Sequence, residues 1–229
     1  MTGTITTAQA ARTVPDQAAL RKLGRQVRQR LEANPGVYTI TQENAELYAV
    51  GDFMSAEECT RMIGLIDKVA RPSAVFDLNY GTEYRTSYSG DVDPQDPFVR
   101  KISRRIDDLL DIDGRWGETI QGQRYLPGQQ FQPHNDWFWT EAQYWEREKN
   151  NGGQRSWTAM VYLNDVEGGG STDFTKLGLS IAPKAGVLLI WNNADIEGVP
   201  NEFTMHTGTK VTAGVKYVIT RWYRTRRWG

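Results

Sequence analysis

The stretch that decides how this chain is read is Tyr125-Leu-Pro-Gly-Gln-Gln-Phe-Gln-Pro-His134-Asn135-Asp136-Trp137-Phe138. The chain holds two histidines in all. His134 stands two positions before a carboxylate, and His206 lies far downstream with Lys216 ten residues beyond it. An HxD pair, a remote histidine and a basic residue supply what a two-histidine, one-carboxylate iron site requires: three ligands on one face and open positions opposite. Alternate residues of a strand share a face. His134 and Asp136 are therefore expected to point together into a barrel, with His206 arriving from a strand near its other end.

The composition narrows the class. At 229 residues the chain is long enough to bury a core. Hydrophobic residues make up 39% and charged residues 24%, the balance of a folded globular protein and not of a disordered one. With 27 basic and 28 acidic residues the net charge is −1, so nothing calls for nucleic acid or an anionic membrane as partner. One cysteine, Cys59, rules out an intrachain disulfide and a Cys-rich zinc site, and suits a reducing compartment. The first residues lack a basic segment leading into an apolar one, and no run approaches the roughly 18 apolar residues of a membrane-crossing helix. The expected location is cytoplasmic.

Residues 1–14 are small and polar and are expected to form a flexible tail. From Asp16 to Ala33, apolar Leu20, Leu23, Val27 and Leu31 recur at helical spacing until Asn34-Pro35-Gly36 ends the pattern. Ser55-Ala56-Glu57-Glu58 is a capping-box pattern opening a second helix through Met62, Ile66 and Val69. Within the segment Asp77 to Pro97, turn formers dominate Gly90 to Pro97, which reads as a loop, and the ordering of residues 85–96 is expected to change with substrate. Phe98, Ile102, Ile106 and Leu110 predict a third helix.

Short strands are predicted at 37–40 and 47–50. Beyond Trp116 eight more follow, at 119–125, 132–137, 156–163, 172–174, 179–182, 187–191, 203–207 and 215–224, divided by Gly- and Pro-containing turns. The fold class that follows is α+β, mainly β: a jelly-roll or cupin-like core flanked by N-terminal helices. It is read as a single domain over 15–229, with a helical support layer at about 15–115 and the β-core at about 116–229.

Lys216 falls on the same strand face as Val218, Thr220 and Trp222. A lysine inside a barrel is costly to desolvate unless it meets an anion. The far carboxylate of 2-oxoglutarate is such an anion, with Tyr125 and Thr172 as candidate hydroxyl donors. The run Glu167-Gly-Gly-Gly-Ser171-Thr172 lacks the Lys-Ser/Thr ending of a phosphate loop and reads as a turn. Arg221, Arg224, Arg226 and Arg227 read as a solvated edge, not as a nucleic-acid patch. Trp137, Phe138, Trp139, Tyr144 and Trp145 read either as packing or as an aromatic wall beside a substrate channel.

These residues resemble the prolyl 4-hydroxylase family of Fe(II)- and 2-oxoglutarate-dependent dioxygenases. The matching stretches run from Glu46 to Cys59, through Arg85-Thr86-Ser87, Glu118 to Asp136, Thr158 to Phe174, Pro183 to Gly186, and His206 to Trp222, in the family's order. The resemblance implies a distorted double-stranded β-helix with Fe(2+) on His134, Asp136 and His206. It implies 2-oxoglutarate anchored by Lys216 with Tyr125 and Thr172 nearby, O2 as co-substrate, and L-ascorbate as a rescuing reductant. Arg85, Ser87, Glu118, Arg155 and Trp222 match residues along the peptide site of members that hydroxylate peptidyl proline. The implied reaction is hydroxylation of an unactivated C–H bond, of a prolyl residue in a peptide or protein first, of a free amino acid or small metabolite otherwise. A radical halogenase would need a small residue in place of Asp136. A nucleic-acid demethylase of the related repair group would typically pair 2-oxoglutarate with arginine and carry a basic lid. A catalytically inactive cupin-type binding module is opposed by the intact ligand set.

Overall fold

The computed structural model describes residues 14–73 and 84–229. The expected tail lies outside them except for Val14, as do residues 77–83 of the segment Asp77 to Pro97. In chain order the helices are α1 (Gln17–Glu32), α2 (Ala56–Val69), α3 (Pro97–Leu110) and a short α4 (Trp145–Asn150). The strands are β1 (Tyr38–Ile40), β2 (Leu47–Val50), β3 (Arg71–Pro72), β4 (Tyr88–Asp91), β5 (Gln121–Tyr125), β6 (Phe131–His134), β7 (Arg155–Tyr162), β8 (Gly168–Gly169), β9 (Thr172–Phe174), β10 (Leu179–Ile181), β11 (Leu188–Asn192), β12 (His206–Gly208), β13 (Val211–Ala213) and β14 (Lys216–Arg224).

A major sheet runs β1-β2-β11-β7-β14-β5-β4-β3 and a minor sheet β10-β9-β12-β6, with β13-β8 as a separate ribbon. All the pairings are antiparallel. Period-two alternation on the central strands makes two cores. Trp157, Ala159 and Val161 of β7 face the helices together with Ile219 and Tyr223 of β14. Met160 and Tyr162 face the minor sheet with Val218 of β14 and Trp191 of β11. Lys216, Val218, Thr220 and Trp222 all line one interior cavity, as their common parity requires.

The three expected helices form for the expected reasons. Ser55 accepts from the Glu58 amide while the Glu58 side chain accepts from the Ser55 amide, closing the capping box. Asp96 caps α3 through the amides of Phe98 and Val99, with Pro97 in the first turn. The apolar stripe of α1 is buried, and Asp16 before it turns its carboxylate to the Gln154 amide (2.9 Å) and the Thr225 hydroxyl (2.9 Å) instead of capping.

Four features depart from the sequence reading. The first half holds more strands than expected: β1 and β2 form as predicted at one edge of the major sheet, and β3 and β4 extend its other edge. Part of the expected loop is a strand instead: Tyr88–Asp91 pairs with β3 on one side and β5 on the other, and Asp96 is committed to its cap. Gly90 within that strand is required by crowding, because a Cβ there would lie 2.5 Å from the Val69 carbonyl oxygen. The predicted strand 132–137 stops at His134, and 203–207 opens as a 3-10 turn (Glu202–Thr204) before β12. Gly90→Ala is expected to cost about 1–3 kcal/mol through overpacking against backbone that cannot yield, measurable as a lowered urea midpoint.

Candidate active site

β6 ends at His134, β12 begins at His206, and their register sets these residues directly opposite each other. The two rings are 4.3 Å apart between centroids. His206 therefore comes from the neighbouring strand, not from the far end of the barrel. Asp136 lies beyond the strand in a bend, so strand alternation does not orient it. One donor atom from each of the three residues nonetheless lies within 4.8 Å of the others. Asp136 Oδ1 is 3.9 Å from His134 Nε2, and Oδ2 is 3.9 Å from His206 Nε2.

Each imidazole is fixed from behind. His134 Nδ1 meets the Gln132 carbonyl at 2.8 Å and His206 Nδ1 the Thr204 carbonyl at 2.9 Å. A carbonyl only accepts, so Nδ1 donates and Nε2 keeps its lone pair for a metal. Phe131 stacks on His134 at 3.6 Å, and Trp191 meets His206 nearly edge-on at 4.9 Å. Burial and the neighbouring His206 push the His134 imidazole down to about 3, which keeps it neutral. Burial pushes the Asp136 carboxyl up, but His206, His134, Arg155 and the Thr158 hydroxyl outweigh it and hold it below the usual carboxylate range. Two Nε2 lone pairs and an ionised carboxylate form a donor set that suits Fe(II).

The cavity over these atoms also contains Tyr125, Thr172 and Lys216. Lys216 sits across the β14–β5 ladder from Tyr125, and its Nζ lies 5.3 Å from the Tyr125 ring centre and 5.5 Å from that of Tyr162. The residue is 2% exposed. Among the described residues no hydrogen bond or ion pair meets its Nζ, and burial pulls the ammonium down to about 7. The Tyr162 hydroxyl donates to Thr172 Oγ1 (2.7 Å), which leaves the Thr172 hydrogen free to donate. Tyr125 gives its own hydrogen to Gln123 Oε1 at 2.7 Å. The Gly-rich run passes over the lysine stem at Gly170, where φ is +71° and a Cβ would approach Lys216 Cδ to 3.4 Å. A buried ammonium without a counter-ion is a site for an anion.

A larger cleft of about 430 Å³ opens outward from the triad. Arg85, Glu118, Arg155 and Trp222 line it; Ser87 does not. Ser87 is buried behind Arg85, its hydroxyl 3.0 Å from that of Ser73 and 3.4 Å from Arg85 Nε. Arg85 reaches Gln121 Oε1 at 2.8 Å and lies over the Phe131 ring. Glu118 is held by Arg155 at 2.7 and 2.8 Å and by Arg224 at 2.5 Å. Arg155 stacks 4.0 Å over Trp222. Trp137, Phe138, Trp139 and Tyr144 form an aromatic wall of the cleft, whereas Trp145 is packed behind it.

The arginine-rich last strand is not the solvated edge its composition suggests. Arg224 is buried between Glu118 and Glu148 of α4, and Arg221 between Asp107 and the Gly114 and Glu118 carbonyls. Arg226 and Arg227 remain at the surface. Thr158, Tyr162, Gln123 and Glu148 join the site without any motif to announce them. A sequence signal existed for Thr158 and Tyr162, which share the interior parity of Met160 on β7, and for Gln123, which shares that of Tyr125 on β5.

The comparisons with known proteins agree with this geometry. Residues 120–224 match the model of the 2OG-Fe(II) oxygenase superfamily. The chain is 31% identical over 201 residues to the probable prolyl 4-hydroxylase 10 of Arabidopsis thaliana, covering 77% of this chain and 68% of that protein. It is 34% identical over 145 residues to the prolyl 4-hydroxylase subunit alpha-1 of Rattus norvegicus, of whose length it spans 27%. The viral collagen prolyl hydroxylase of Paramecium Bursaria Chlorella virus-1 superposes with a TM-score of 0.61 at 26% identity, over 77% of this chain and 94% of that one.

The chain belongs to the prolyl 4-hydroxylase family. It is a 2-oxoglutarate-dependent dioxygenase with a double-stranded β-helix core, and Fe(II) and 2-oxoglutarate are its cofactors. The Trichoplax adhaerens prolyl hydroxylase, at 15% identity and a TM-score of 0.60, shares the fold. Glu118→Gln in this family member is expected to leave the buried Arg155 uncompensated and to cost about 3–5 kcal/mol, read as a shift in denaturant midpoint.

Proposed function

We propose that the chain hydroxylates an unactivated C–H bond of a prolyl residue within a peptide or protein, with Fe(II) on His134, Asp136 and His206 and 2-oxoglutarate anchored by Lys216. The observation that carries this reading is the buried Lys216 ammonium, without a counter-ion, in the same cavity as the three converging metal donors. When bound, iron, 2-oxoglutarate and O2 together supply the oxidant for C–H cleavage, with succinate and carbon dioxide as co-products.

The chain's own residues do the positioning. Lys216 pairs with the distal carboxylate, and the Thr172 hydroxyl, already accepting from Tyr162, donates its free hydrogen to the same group. The Tyr125 ring faces the ammonium. Phe131, Phe174 and Trp191 surround the imidazoles and keep bulk water from the metal donors. The cleft is in the size range of ligands larger than one amino acid, and Arg85, Arg155 and Trp222 offer cationic and stacking contacts along it, which supports a peptide segment as substrate. Ser87 would act on that segment through Arg85. A reducing, cytoplasmic setting fits the single buried thiol of Cys59.

A panel of Pro-containing peptides, free proline and other amino acids, assayed with Fe(II), 2-oxoglutarate and ascorbate, tests the substrate class. Peptide-dependent succinate formation with gain of one oxygen is expected, and turnover confined to a free amino acid refutes the peptide reading. His134→Ala and His206→Ala should each abolish succinate formation, and retained turnover in either removes that residue from the ligand set.

The pH dependence follows from Lys216. Its ammonium, lowered by burial to about 7, is present below that pH and lost above it. The KM for 2-oxoglutarate should therefore rise about tenfold per pH unit above that point, while kcat at saturation stays level. Lys216→Met should raise that KM at least about tenfold, the loss of a charge-assisted hydrogen bond, with little change in metal affinity.

A further inference from the structure

Asp136 is the least supported of the three metal donors by its own backbone. The imidazoles sit on paired strands, whereas Asp136 lies past the end of β6. Its bend is held instead by side chains from the start of β7. Gln154 accepts from the Phe138 amide (2.6 Å) and donates to the Phe138 carbonyl (2.8 Å), and Arg155 Nη1 reaches the Asp136 carbonyl at 3.4 Å. Among the described residues one hydrogen bond holds the carboxylate itself. Thr158 Oγ1, in the middle of β7, donates to Asp136 Oδ2 at 2.8 Å.

Behind Thr158 stands Asn193, one residue past β11. Its Nδ2 donates to Thr158 Oγ1 at 2.9 Å. An amide NH₂ only donates, so the single Thr158 hydrogen cannot turn towards Asn193 and is directed to Asp136. Asn193 is 1% exposed and, among the described residues, its Oδ1 has no hydrogen-bond partner, so this amide is kept in the core at a desolvation cost. Its backbone is fixed as well. The amide donates to the Ser156 carbonyl (2.8 Å), and the carbonyl accepts from the Asn201 amide (2.9 Å), just ahead of His206.

Asn193 thus contacts β7, which orients Asp136, and the segment that leads to His206. The torsion that turns a carboxylate about its Cβ–Cγ bond is soft. A hydroxyl with a fixed hydrogen on a central strand removes that freedom.

We propose that Asn193 and Thr158 are positioning residues for the metal: Asn193 sets the direction of the Thr158 hydrogen, and Thr158 fixes the Asp136 carboxylate for coordination. The inference rests on the ligand assignment above. Outer partners of metal ligands typically govern affinity by 10–100-fold.

The test is Co(II) titration of the full apo-protein, followed through the metal's visible absorption bands, beside the thermal midpoint of each apo-variant. Thr158→Val should weaken Co(II) about 10–100-fold and change the absorption spectrum, while Thr158→Ser restores both. Asn193→Ala should weaken Co(II) in the same direction. The double variant should bind no more weakly than Thr158→Val alone, because Asn193 acts through that hydroxyl. Wild-type affinity and spectrum in Thr158→Val, or losses that multiply in the double variant, overturn the proposal. If Thr158→Val does not fold, an Asn193→Ala titration and spectrum equal to wild type overturns it alone. Co(II) binding by the wild type with unaffected variants removes only this inference, whereas no binding by the wild type removes the ligand assignment with it.

Discussion

The pairing of β12 with β6 is the constraint on which the rest of the site depends. It sets His206 across from His134 and brings both Nε2 atoms to one side of the minor sheet. The same β12 pairs on its other edge with β9, which aligns Phe174 with His206 and Thr172 with Gly208. The His206 imidazole and the Thr172 hydroxyl are thereby placed by one short strand. A slip of one residue would turn every one of these side chains to the opposite face.

The buried charges fall into two kinds. Glu118, Arg155, Arg224 and Glu148 satisfy one another, and their ion pairs tie β7, β14 and α4 together along the cleft. Burial pushes the Glu118 carboxyl up, but Arg155 and Arg224 outweigh it and keep it ionised. Lys216 has no such partner among the described residues, and burial acts on it unopposed except by the field of Asp173. A closed network contributes structure, whereas an open buried charge leaves standing a desolvation cost that a bound anion would recover.

The major sheet makes this separation possible. β7 and β14 are buried on both faces, with aromatic and aliphatic packing under the helices on one side and, towards the minor sheet, a second apolar cluster interrupted by the polar groups of the cavity. Met160, Thr220 and Trp222 line the cavity because of their parity, Thr158 and Tyr162 on the same face of β7 meet its Asp136 and Thr172, and Trp157, Val161 and Tyr223 point away from it. Rigid central strands so carry the groups that need fixed geometry, and the aromatic wall of Trp137, Phe138 and Trp139 borders the more open cleft.

Much of this was written in the sequence itself. The residue types of the donor set, the shared face of Lys216 with Val218, Thr220 and Trp222, the capping box at Ser55 and the apolar stripe of α1 all follow from local spacing, because helices and strands impose periods of their own. Only the tertiary structure decided how distant segments meet. The neighbouring placement of His206, the bend that carries Asp136, the sheet pairing of Tyr88–Asp91 and the burial of Arg221 and Arg224 depend on strand order and ion pairing between residues far apart in the chain. Local composition made Tyr88–Asp91 resemble a loop and the last strand a solvated edge. Neither a turn-forming residue nor an arginine carries in its own spacing any record of the strand or carboxylate it will find across the fold.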